Sequence, residues 1–187
     1  MTRIEDPDSD SLSEPIRQIL DALPDLGLFR QLSHAPEILP QWLAMGGALL
    51  SKLSLPPAIR ELIILQVSAS TRCQYEEIQH VAIARQIGIE ENKIDAVVSQ
   101  RLDDPSIRGE GPALAAIDRL IKNHHLSDAE FASLRVAFSD RQIIEVLVLV
   151  GWYQAIALLA GAIDLTPDLS VDLAVVDAAT SFREDNL

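Results

Sequence analysis

Apolar positions recur at helical spacing along most of the chain, and no stretch alternates convincingly as a strand would. Ile16, Ile19, Leu20 and Leu23 predict a short helix over residues 14–22, and residues 27–33 add another turn or two. From Pro36 to about Leu50, one side of a helix is supplied by Ile38, Leu39, Trp42, Leu43 and Met45. The run Ser54-Leu55-Pro56-Pro57 is a start signal, because a proline in a first turn lacks only an N–H that the helix does not need. The helix that follows, to Ser70, is nearly all apolar after Glu61 and is expected to be deeply buried. Ser70-Thr71-Arg72 is expected to break it and cap the next helix, residues 73–87, which Gly88 ends. A short helix over 90–99, a surface loop over 103–112 and helices over 112–123 and 128–138 come next. Ser127 and Glu130 have the spacing of a capping box. Ser139 and Gln142 repeat the device ahead of the longest apolar run, residues 143–163, whose helix is expected to end near Gly161.

The pattern is that of an all-α protein. It predicts one helical domain over residues 14–166, with no internal repeat. A mobile acidic tail precedes it at 1–13, and a partly mobile extension follows at 167–187. In that extension Val171, Leu173, Val175 and Val176 predict a loosely docked helix. The run 143–163 is long enough to span a bilayer. Glu145 and Gln154 interrupt it and no basic cluster flanks it, so a central core helix or a subunit-interface helix is expected.

Composition narrows the function. With 187 residues, 48% of them hydrophobic, the chain can bury one real core. Eight glycines and few aromatics argue against a β-sandwich or a glycine-rich dinucleotide fold. A net charge of -13 repels phosphate backbones, and no basic cluster offers itself to an anionic membrane. Neither nucleic acid nor membrane is therefore an expected partner. The single cysteine, Cys73, cannot close an intrachain disulfide, and the first residues lack the basic start and apolar run of a signal peptide. A cytoplasmic protein is expected.

That cysteine opens a constellation, Cys73-Gln74-Tyr75-Glu76-Glu77-Ile78-Gln79-His80, with Glu61 on the helix before it. At about 100° per residue, positions 73, 76 and 80 share a stripe about 60° wide that continues through Ile83, Ala84 and Ile87. The stripe faces inward, yet its first half is polar, and buried polar groups need partners. Folding the two helices into a hairpin with Glu61 beside His80 satisfies both. Glu76 and His80 are in reach of each other at four residues' spacing. Cys73 and His80 are separated by a rise of about 10 Å, so a direct thiol–imidazole bond is not expected. A helix N-terminus can favour a thiolate at Cys73. No second histidine stands at ligand spacing, so neither a metal nor another cofactor is expected. His124 and His125 end a helix, where imidazole complements the dipole, and His34 is expected at the surface. Trp152 and Tyr153, inside the apolar run, are expected in the core, with a pocket wall as their second role.

The order Glu61, eleven residues, Cys73, two residues, Glu76, three residues, His80 resembles the carboxymuconolactone decarboxylase and AhpD-like alkylhydroperoxidase superfamily. Leu28-Phe29-Arg30 with His34-Ala35-Pro36-Glu37, Leu55 to Leu62, and Val150-Gly151-Trp152-Tyr153 extend the resemblance over roughly residues 26–165. It implies an AhpD-like bundle built around a helical hairpin and assembled as a homo-oligomer, a dimer, trimer or hexamer. It also implies that Glu61, Cys73 and His80 occupy the positions of the peroxidase branch's carboxylate, first cysteine and histidine. Glu76 stands where that branch has its second cysteine.

The departure at Glu76 removes the two-thiol cycle. The expectation that follows is a cofactor-free acid–base enzyme, a decarboxylase or related lyase on a small carboxylated lactone or organic acid. His80 and Glu76 would move protons, Glu61 would orient His80, and Cys73 would line the pocket. Desolvation would push Glu61 and Glu76 toward protonation. The alternative is a peroxidase using Cys73 alone with an external thiol as reductant. A third reading is a non-catalytic oligomeric scaffold.

Overall fold

A computed structural model describes residues 2–168, which form nine α-helices and two short 3-10 turns, at Ser9–Ser11 and Pro105–Ile107, with no strand among them. The expected helix over Val171 to Val176 lies outside the described residues. The described residues divide into two compact units, residues 2–53 with 159–168, and residues 54–158.

The first unit holds α1 (Glu14–Asp21), α2 (Gly27–Leu32) and α3 (Leu39–Ser51). Its N-terminal residues are tied in by side chains: Asp6 pairs with Arg30 at 2.8 Å, and Gln31 donates to the carbonyl of Ile4 at 3.1 Å. The Asp168 carboxylate accepts the Gly27 N–H at 3.0 Å, at the start of α2. The third helix begins at Leu39, three residues later than the sequence predicts, with Pro40 in its first turn. Pro36 to Ile38 form a turn instead. Its buried side is Leu39, Leu43, Gly47 and Leu49, while Ile38 and Met45 are exposed.

The second unit is built on α4 (Pro57–Thr71), which packs against α5 (Gln74–Gln86), α6 (Glu91–Val98) and α7 (Gly111–Asn123). Every residue from Arg60 to Ser68 is buried, as the apolar run predicts. Leu62, Ile63, Ile64 and Leu65 are at most 2% exposed. Burial of each such side chain contributes about 1.5–3 kcal/mol. The chain leaves α4 through Arg72 in the left-handed region, φ 57°, and Cys73 is extended and serves as N-cap of α5. Ser70 and Thr71 belong to α4 and do not cap α5: Thr71 donates back to the Val67 carbonyl and Ser70 to Asp118. Two residues thus join α4 to α5 in a tight hairpin. Gly88, φ 83°, ends α5 as expected. At Gly111 a Cβ would lie 2.3 Å from the Leu102 carbonyl oxygen, so the loop closes on α7 only over a glycine.

Helix α8 (Asp128–Ala137) starts with the predicted capping box, and Ser139 and Gln142 exchange the corresponding bonds ahead of α9 (Asp140–Ile163). By length and composition alone, α9 is long and apolar enough to cross a bilayer. It is not buried all round: Ile143, Val146, Leu149, Val150, Tyr153 and Ile156 are buried, whereas Ile144, Val148 and Leu158 are exposed.

Candidate active site

The α4–α5 hairpin sets a carboxylate and an imidazole face to face. Glu61, 0% exposed, comes from the second turn of α4, and His80 comes from the middle of α5. Glu61 Oε2 lies 2.7 Å from His80 Nδ1, and Glu61 Oε1 accepts from Arg60 Nε at 2.9 Å. Each oxygen of Glu61 therefore meets a cation. On the other side of the ring, His80 Nε2 lies 3.2 Å from Glu76 Oε2, the expected contact one turn apart. Arg60, Glu61, Glu76 and His80 are all buried. Such a cluster persists in a low-dielectric interior only because every charge has an opposite partner.

The electrostatics follow from these contacts. Burial opposes protonation of His80, but the charge of Glu61, its hydrogen bond and the Glu76 contact outweigh burial and raise the imidazole to about 9. Burial likewise pushes Glu61 up, yet His80 and then Arg60 hold it below the usual carboxylate range. The expectation that desolvation protonates Glu61 is thus reversed, because two cations solvate it.

Cys73 sits at the N-cap of α5 and is 8% exposed. Burial raises its thiol, and the Glu76 and Glu77 charges add to that, against the pull of the Glu76 and Tyr75 backbone N–H groups. The N-terminal position does not yield a thiolate here: burial, with the carboxylates of the first turn adding to it, outweighs the benefit of the helix end. Among the described residues no group of three or more His, Cys, Asp and Glu side chains is placed to hold a metal ion. His34 and His124 are exposed and lie outside the cluster; His124 closes α7 in the left-handed region.

Two residues join the site that sequence reasoning had placed elsewhere. Arg60 figured only as part of a sequence landmark. The signal for it was a carboxylate on an apolar helix, which demands a counter-charge nearby. Tyr153, read first as core, is buried on α9 with its ring edge-on to His80, centroids 5.0 Å apart at 86°. Burial first, then the Glu76 and Glu61 charges, raise its phenol well above the ordinary value.

Residues 36–118 match the carboxymuconolactone decarboxylase family, a span that includes Glu61, Cys73, Glu76 and His80. An uncharacterized peroxidase-related protein from Ralstonia eutropha, with an alkylhydroperoxidase AhpD core, superposes with a TM-score of 0.76 at 22% identity, covering 95% of this chain and 96% of that one. A peroxidase-related protein from Silicibacter gives a TM-score of 0.78 at 20% identity over 97% and 96%. The debrominase Bmp8 in complex with 2,3,4-tribromopyrrole gives 0.61 at 16% identity over 97% and 96%. At these identities the structural likeness is one of fold. No curated protein matches the chain in sequence.

Proposed function

We propose that this chain, whose residues 36–118 match the carboxymuconolactone decarboxylase family, is a cofactor-free acid–base enzyme, a decarboxylase or related lyase acting on a small carboxylated lactone or organic acid. The observation that carries this reading is the buried imidazole of His80 held between Glu61 and Glu76. When a carboxylate leaves as CO2, the electron pair of the broken C–C bond stays on the substrate, and a carbon must then take up a proton. His80 Nε2, with Glu76 as relay, is the proton source. Glu61, itself anchored by Arg60, fixes the ring and keeps it charged. Solvent returns the proton, so no redox partner enters. Cys73 stays a thiol and lines the site.

The test is CO2 release from a carboxylated butenolide such as 4-carboxymuconolactone. Cys73→Ser is expected to retain turnover, while His80→Gln loses about 10²–10⁴-fold, the usual contribution of a positioned acid. The reverse pattern sinks the reading.

A second reading has its own observation. Cys73 stands at the N-cap of α5, where the Glu76 and Tyr75 backbone N–H groups favour the thiolate that attacks a hydroperoxide. A one-cysteine peroxidase would reduce a hydroperoxide to an alcohol, pass through a sulfenic acid and be restored by an external thiol. The raised thiol ranks this second. Intact mass of the protein after cumene hydroperoxide, with and without dithiothreitol, separates the two: rapid oxidation that dithiothreitol reverses, with many turnovers, favours the peroxidase.

A further inference from the structure

We propose that Tyr153 is a catalytic residue of this site, a neutral donor whose hydroxyl binds the substrate oxygen on which negative charge gathers as CO2 departs. The inference rests on the acid–base reading and specifies its substrate class.

Tyr153 is 5% exposed and lies edge-on to the His80 ring. Buried tyrosines ordinarily give their O–H to a partner. The described residues give its hydroxyl no hydrogen bond, and that oxygen is not among the enclosed unpartnered atoms, so the tip of the ring is open to a ligand, whereas both oxygens of Glu61 and both nitrogens of His80 are engaged. The hydroxyl is therefore an uncommitted donor on a side chain packed against the proton source. Burial and the adjacent carboxylates keep it protonated, so it acts as a donor and not as a base.

A neutral, preorganised O–H stabilises an oxyanion far better in a dry site than water does. The matching substrate is an acid whose carboxylate lies β to a carbonyl or is conjugated with one. Breaking its C–CO2 bond sends the electron pair to the carbonyl oxygen, giving CO2 and an enolate. Tyr153 holds the enolate oxygen, and the enolate carbon takes the proton of His80. Simple aliphatic acids, with no carbonyl to receive the pair, are not substrates.

The experiment uses 4-nitrophenolate, a planar probe with its charge on a ring oxygen, titrated by absorbance into the wild type and Tyr153→Phe. The variant is expected to bind at least about 10-fold more weakly, and kcat on the carboxylated butenolide to fall about 10²–10³-fold with KM nearly unchanged. With tyrosine labelled at Cζ, the chain shows two resonances, Tyr75 and Tyr153, and only that of Tyr153 is expected to move on binding. Equal binding by both proteins, no binding by the wild type, or an unmoved Tyr153 resonance overturns the proposal. Tyrosine-dependent probe binding without turnover strikes the acid–base reading and keeps Tyr153 as the oxyanion donor. Turnover that needs His80 but not Tyr153 strikes the tyrosine alone.

Discussion

At His80 the two glutamates do opposite work to burial, and the balance has a definite pH signature. The folded-state value of about 9 stands above the ordinary 6.5, so the imidazolium contributes stability that is fully present below 6.5 and is lost as pH rises through about 9. A shift of that size corresponds to about 3 kcal/mol. Glu61 has the other sign: its folded value is depressed, so its contribution is present above 4.5 and is lost as pH falls through its lower folded value. Urea unfolding of the wild type is expected to show a plateau between these limits, with falling stability on the alkaline side. His80→Gln should lack the alkaline fall, and a fall of unchanged depth would contradict the assignment. Glu61→Gln leaves Arg60 and His80 short of a counter-charge and should cost about 3–5 kcal/mol. The Glu61–His80 contact was legible in the sequence, because both groups lay on inward faces and each needed a partner. The protonation of Glu61 was not. That depends first on the charge of His80 and then on Arg60 folding back onto its neighbour, a rotamer choice that spacing does not encode. Tyr153 is in the core, as the apolar run implies, but its place against the His80 ring was not legible, because helical period does not say which ring meets which.

Among the helices, the sequence placed α4, α5, α8 and α9 by their apolar period and their start signals, and missed where backbone geometry alone decides. Pro36 was read as a start, but the chain turns first and α3 begins at Leu39. Ser70 and Thr71 read as caps because of their side chains, yet their hydroxyls are committed within α4 and to Asp118. The loop before α7 offers a sharp test of close approach. In Gly111→Ala the new Cβ meets the Leu102 carbonyl at 2.3 Å, and backbone must give way. A loss of about 1–3 kcal/mol is expected, read as a lower thermal midpoint. Gly109→Ala, where a Cβ has nothing within 4 Å, is the control and should be close to neutral.

For the molecule as a whole, α9 carries an uncovered apolar stripe, with Ile144 61%, Val148 38% and Leu158 74% exposed. We propose that a second copy of the chain covers it, as the acidic surface elsewhere keeps copies apart unless a specific apolar patch joins them. Light scattering should find an oligomer for the wild type and a smaller species for Ile144→Glu with Leu158→Glu. A monomer in both would refute it. The two-residue link at Arg72 and Cys73 has a consequence for how the molecule comes together. Glu61 and His80 are 19 residues apart in the chain, so closing the loop between them costs little entropy. Tyr153 arrives from a helix far downstream. The ion pair belongs to a local, quickly formed unit and the aromatic wall to a slower, long-range one. The proton-handling half of the site is thus expected to exist in the nascent chain before α9 has been synthesised, and the oxyanion-binding half only after it.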